Sequence, residues 1–323
     1  MKNNGELNAQ LEQGFQNARM RWDIIWMFIG TTAVALVGVP LYGILYGFTA
    51  SAWIAFGILF AACNLAITTG YHRLWSHKAF KAHWTIRLTL ALIGALALEN
   101  SILKWASDHR RHHGNVDNRY KDPYAATRGF WFSHMGWMLR DYPSAPLDFS
   151  NVRDLEKDPI VRWQHRYYLP LAVGINLAVP LALGLIGGNV LEMLLVAGFL
   201  RLVVTHHTTF FINSLAHIIG TRPWSTGNTA RDNFILAILT FGEGYHNYHH
   251  AHPADYRNGI RFWQWDPTKW LIKSLSVVRL TSGLRTVSPA RLSAGAGTPK
   301  ASVTTSVTGN DGMGAPRRSR PAA

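Results

Sequence analysis

No charged side chain occurs between positions 24 and 70. A helix needs about 20 apolar residues to cross a bilayer, so this run holds enough chain for two crossings. Gly43, Thr49 and Ser51 lie near its middle and place a tight turn at 46–51, which predicts spans over 24–46 and 51–71. The run is too long for a secretory signal, and no small-residue cleavage site ends it. A second charge-free run, 167–191, keeps its apolar character to Ile212, interrupted mainly by Glu192, Arg201 and the His206-His207 pair. It predicts spans over 167–187 and 190–212, turning at Gly187-Gly188-Asn189. Glu192, close to that outer turn, is expected to reach water, and Arg201, deeper, to have a buried structural partner. Segment 84–103 is apolar enough for a fifth span but carries Arg87, Glu99 and Asn100. A crossing there would put the histidine clusters on opposite membrane faces, so it is expected to lie in the interface. The predicted fold class is therefore all-α integral membrane: four transmembrane helices in two hairpins plus a cytoplasmic helical cap.

The cap would comprise 72–166 and 213–286, within a membrane domain spanning 23–286. Residues 1–22 would form a cytoplasmic N-terminal segment. Residues 287–323, rich in Ser, Thr, Gly, Ala, Pro and Arg, are expected to be a disordered basic tail. The Lys and Arg distribution orients the chain. The two outer turns hold none, 72–166 holds 15 and the stretch after Ile212 holds 13, so both termini and the cap should face the cytoplasm. The net charge of +14 then suits anionic lipid headgroups rather than nucleic acid. Only 15% of residues are charged, against about 25% in ordinary soluble domains. The single Cys63 excludes a disulfide framework and any multi-cysteine metal site, which leaves histidine as the abundant metal-capable residue.

Eight of the 15 histidines fall in three clusters: His72-Arg-Leu-Trp-Ser-His77, His109-Arg-Arg-His112-His113 and His246-Asn-Tyr-His249-His250. In the second and third, positions i, i+3 and i+4 share one helical face, so three imidazoles converge. The five-residue spacing of the first puts its rings about 140° apart on an ideal α-helix, which calls for a helix end between them. Asn213 and His217 follow at the cytoplasmic end of the fourth span. Nine neutral imidazoles suit two transition metals. His83, His134, His165, His206, His207 and His252 are expected to be surface or packing residues.

The three boxes, with Asn213-Ser-Leu-Ala-His217 and Gly242-Glu-Gly-Tyr-His246-Asn-Tyr-His-His250, resemble the membrane fatty acyl desaturases of the stearoyl-CoA Δ9 type. Asp122-Pro, Arg128-Gly-Phe, Ser133-His-Met-Gly-Trp137 and Trp263-Gln-Trp-Asp-Pro-Thr-Lys-Trp270 extend the similarity, which runs from about Trp22 to Val287. The resemblance implies a non-haem centre of two iron ions. One iron would be held by His72, His77, His109, His113 and His249, and the other by His112, His217, His246 and His250 with a water on Asn213. It implies an O2-dependent reaction in which two hydrogens leave unactivated mid-chain carbons and O2 leaves as water. It also implies a kinked acyl tunnel shaped at Glu99, Trp105 and Thr209, where relatives have Gln, Trp and Thr. Headgroup contacts would fall at Asn100, Asp108 and Arg166. Ser107 stands where animal relatives place an Arg, so acyl-CoA, acyl-phospholipid and acyl carrier protein substrates all remain open.

Gly242-Glu-Gly is too short for a phosphate loop, and no dinucleotide or haem-binding motif is present. Electrons are therefore expected from an external donor: ferredoxin, cytochrome b5 or a flavoprotein reductase. The membrane would be the inner membrane in a bacterium or the endoplasmic reticulum in a eukaryote. A His-box hydroxylase or ketolase is the nearest alternative, disfavoured by Trp105 and by His217 with Asn213. A membrane metal transporter is a further one, disfavoured because transporters place ligands at the bilayer midplane.

Overall fold

The computed structural model describes residues 4–288 together with Ala290 and Leu292. The expected basic tail therefore lies almost wholly outside the described residues. The described residues form helices joined by loops, with one short antiparallel pair, Lys81–Ala82 against Thr281–Ser282. Four helices are long and apolar enough to cross a membrane: Trp22–Tyr46, Ala50–Ser76, Tyr168–Gly187 and Val190–His217. Their apolar side chains point outward. Ile44 is 82% exposed and Ile186 86%, an arrangement that is costly in water and natural against lipid tails.

The turns behave as their residues dictate. Gly47 takes φ +72° between the first and second spans, and Gly188 takes φ +77° between the third and fourth, a region that glycine enters without steric cost. A Cβ on Gly184 would lie 2.5 Å from Val190 Cα, so only glycine lets the third and fourth helices meet this closely beside their turn. The fourth span packs against all three others and is the axis of the bundle.

Glu192 does not reach water. It is buried and accepts from Thr49 N (2.6 Å) and Thr49 Oγ1 (3.0 Å). Thr49 in turn N-caps the second span by accepting from Ala52 N. The carboxylate thus ties together two inter-helix turns whose residues lie 143 positions apart, and that pairing is what makes its burial tolerable.

Trp84–Leu96 forms a helix of 13 residues. At 1.5 Å per residue it is about 20 Å long, short of the roughly 30 Å hydrocarbon core. It packs on the second and third spans. With the Ile102–Gly114 helix it encloses the main core, built on Tyr71, Trp75, Phe80, Leu96, Ile102 and Ile272. The N-terminal helix Asn4–Gln16 docks through Phe15, buried beneath the Arg128 guanidinium at 3.9 Å and stacked on Tyr142.

Replacing Glu192 with Ala should lower stability by about 1–3 kcal/mol, the scale of hydrogen bonds to a charged group. Thermal unfolding of the detergent-purified protein reads this, and an unchanged midpoint would refute the tie.

Candidate metal centre

Two of the three histidine clusters sit on α-helices and one does not. Ile67–Ser76 is a π-helical stretch at the end of the second span, and His77 N donates to His72 O at 3.1 Å, five residues back. The wider turn brings residue i+5 back over residue i. The two rings therefore meet, with centroids 4.8 Å apart, where an ideal α-helix would have splayed them. His77 is the residue that closes the helix.

On the Ile102–Gly114 and His246–Ala251 helices the i and i+4 rings share a partner group, and the i+3 ring turns to the other. His72, His77, His109, His113 and His249 form one set, and His112, His217, His246 and His250 the other. Within each set the candidate ligand atoms lie within 4.8 Å of one another. Nε2 atoms face one another directly: His77 and His109 at 2.8 Å, His72 and His249 at 3.0 Å, His113 and His249 at 3.0 Å, His246 and His250 at 3.1 Å, and His112 and His250 at 3.3 Å. Burial, and then the neighbouring imidazoles, pushes His109, His113, His246, His249 and His250 well below the usual histidine pKa. Burial and the same neighbours act on His77.

The outer nitrogens decide where the single proton of each neutral ring goes. His112 Nδ1 is 2.9 Å from Asp122 Oδ1, and His72 Nδ1 is 2.9 Å from Glu243 Oε2. A carboxylate accepts, so His112 carries its proton on Nδ1; His72 Nδ1 lies beside Glu243 without the alignment of a hydrogen bond. Thr229 Oγ1 donates to Asp117 Oδ1 at 2.6 Å and so accepts from His217 Nδ1 at 2.8 Å. His109 Nδ1 pairs with Tyr124 Oη at 3.1 Å. These partners turn bare Nε2 lone pairs inward, and lone pairs three ångströms apart repel unless a cation lies among them. The donor set, all neutral nitrogen and aimed at two common points, fits two transition-metal ions.

Glu243, which in the sequence is only the middle of a Gly-Glu-Gly turn, is the hub of the outer support. Arg73 donates to it at 3.0 Å and Asn258 Nδ2 at 2.7 Å. Burial alone would raise its carboxyl, but His72 and Arg73 outweigh that and hold it below the usual carboxylate value. Arg73 also pairs with Asp266, which N-caps the helix Pro267–Val277 by accepting from Lys269 N.

Beside the imidazoles, Trp105 stacks on His109 (4.8 Å, 25°). Its indole donates to Glu99 Oε2 at 3.3 Å, and Thr209 Oγ1 donates to Glu99 Oε1 at 2.7 Å. Glu99, Trp105 and Thr209 thus form one hydrogen-bonded group against the cluster. Asn213 ends the α-helical part of the fourth span, four residues before His217. The headgroup candidates do not join this group. Asp108 is buried in a pair with Lys104 (2.6 Å) and Arg111 (3.3 Å). Arg166 is exposed over the Tyr167 ring, and Asn100 is exposed with its N–H on Tyr168 Oη at 2.7 Å. Ser107 Oγ is spent on Asn151 and on the Asp148 carbonyl.

A family model described as fatty acid desaturase matches residues 49–276. The chain belongs to the fatty acid desaturase family. It is 47% identical over 230 residues to the "Probable acyl-CoA desaturase" of Schizosaccharomyces pombe, covering 71% of this chain and 48% of that protein. It is 45% identical over 227 residues to "Acyl-CoA desaturase 1" of Saccharomyces cerevisiae, covering 70% and 44%. It is 34% identical over 270 residues to the human "Stearoyl-CoA desaturase", covering 80% and 75%. The chain spans about half the length of the two yeast relatives. With four apolar helices of spanning length and these relatives, this desaturase-family chain is a membrane protein. Its histidine clusters are able to hold metal.

Burial pushes the Glu99 carboxyl up from 4.5 to about 7 against the two hydrogen bonds it accepts. A raised folded-state value means that its contribution to stability is complete below pH 4.5 and is lost as pH rises to about 7. The depressed histidines act in the opposite direction across that window, so the Glu99 contribution is read as a difference: relative to wild type, the melting temperature of Glu99→Gln should rise as pH goes from 4.5 to about 7. An equal slope in both proteins would contradict the assignment.

Proposed function

We propose that this chain is an oxygen-dependent Δ9-type fatty acyl desaturase that inserts a cis double bond into a saturated acyl chain. The nine inward-facing imidazoles in two sets, with the Trp105–Glu99–Thr209 group lying against one of them, carry this reading. His72, His77, His109, His113 and His249 would hold one iron; His112, His217, His246 and His250 would hold the other, with Asn213 acting through a water. Bound iron supplies the oxidation of unactivated C–H bonds by O2 and external electrons, chemistry that no side-chain acid or base can perform on such a carbon.

The chain's own residues do the positioning. Asp122, Tyr124 and Thr229 keep the imidazole protons on the outside and the lone pairs inward. Glu99, Trp105 and Thr209 would line the bend of an acyl tunnel and hold one mid-chain pair of carbons at the centre. A displacement of about 1 Å there costs much of the rate. Asn100, Asp108 and Arg166 would serve the headgroup end, with an acyl-CoA or acyl-lipid substrate. In the overall balance, one saturated chain, O2, two electrons and two protons give one double bond and two waters.

Both termini and the cap would face the cytoplasm, as the Lys and Arg distribution indicates. The basic cap suits an acidic electron donor such as ferredoxin or cytochrome b5, or else a flavoprotein reductase.

Expression in cells that lack unsaturated fatty acids tests the reading. Gas chromatography of their lipids should show new double bonds with the wild type and none with His112→Ala, although the variant still resides in the membrane. Undiminished double-bond formation by His112→Ala would overturn it.

A further inference from the structure

Arg201 is fully buried inside the fourth span, and no carboxylate pairs with it among the described residues. An ionisable group within a membrane helix marks function until shown otherwise. Its guanidinium lies 3.9 Å from Cys63 Sγ and donates to three oxygen acceptors: Ala197 O on its own helix (3.2 Å), Asn176 Oδ1 on the third span (2.7 Å), and Leu96 O (2.9 Å). Five residues along, His206 Nε2 lies 3.0 Å from Ala97 O. A carbonyl only accepts, so this nitrogen carries the ring proton. Three residues further, Thr209 donates to Glu99. One side of the fourth span therefore holds Leu96, Ala97 and Glu99 in order.

Those two carbonyls stand at the C-terminus of the Trp84–Leu96 helix, where backbone acceptors lack partners in their own helix and a cation is favoured. The chain then turns through Leu98 at φ +54° and Asn100 at φ +84°. Both are non-glycine residues in the left-handed region, a conformation that persists only where the surroundings over-determine it. Glu99 sits between them, and Tyr168 Oη accepts from Asn100 N on the far side.

We propose that Arg201 and His206 are positioning residues that set where the double bond is placed, acting through the Leu96 and Ala97 carbonyls to lock the 97–100 turn and hence Glu99 against Trp105 and Thr209. This rests on the desaturase reading and on the tunnel role of those three residues. Neither Arg201 nor His206 touches the substrate. Their effect is geometric: with the turn released, Glu99 and the Trp105 indole relax, and the acyl chain slides relative to the imidazole cluster.

The test is the position of the double bond in the lipids of cells expressing full-length protein, read by mass spectrometry of dimethyl disulfide adducts. His206→Leu removes the donor to Ala97 O and should raise the ratio of displaced to normally placed double bonds by roughly 10-fold, as a sub-ångström to 1 Å shift of the reacting carbons would. His206→Gln restores an N–H at the Nε2 position and should return the ratio towards the wild type. A merely structural role would lower the yield of one unchanged isomer in both variants, and that result would overturn the proposal. Should His206→Leu fail to reach the membrane, Asn176→Leu loosens Arg201 from the side of the third span. It should show the same displacement, and an unchanged isomer there would likewise overturn the proposal. A wild type that makes no double bond at all would remove the desaturase reading and this inference with it.

Discussion

Nine neutral imidazoles presenting bare nitrogens to one another are the constraint on which the rest of this molecule depends. Hydrogen bonds to Asp122 and to the Thr229–Asp117 pair draw the proton to the outer nitrogen of His112 and His217. The inner nitrogens then face each other at 2.8–3.3 Å. Burial favours the neutral form of His109, His113, His246, His249 and His250. Nitrogens packed this closely suit cations among them, and four separate stretches of chain supply the rings.

The fourth span transmits this constraint to the membrane. It meets the other three spans, fixes the inter-helix turns through Glu192, grips the end of the Trp84–Leu96 helix through Arg201 and His206, and ends at Asn213 and His217. One span, π-helical over Leu194–Leu200, thus connects lipid-facing packing, the carboxyl at Glu99 and the candidate metal site. Its buried Glu192, Arg201 and His206 each have a hydrogen-bond partner, as a low-dielectric surrounding demands.

Much of this is legible in the sequence because it is periodic or charge-patterned. Charge-free runs mark the first three spans and an apolar run interrupted by Glu192 and Arg201 marks the fourth, and the i, i+3, i+4 spacing marks converging rings on the second and third boxes. What the spacing does not convey is the π-helical turn at His72–His77, since an inserted residue leaves no periodic signal of its own. Glu192 reads as water-exposed because its partner, Thr49, is 143 positions away. The outer partners of the rings share that difficulty. Asp122, Tyr124 and Thr229 lie in loops or turns, and Glu243 reads from sequence as part of a glycine-rich turn. Asp108, by contrast, has its partner Lys104 one helical turn before it, at a spacing that a sequence shows.

Metal content measured alongside activity tests the central claim most directly. Full-length protein purified in detergent, assayed for double-bond formation and analysed for bound metals, should carry about two iron ions per active chain, in keeping with a donor set of two nitrogen-rich groups. Full activity in protein holding one iron or none would contradict the account.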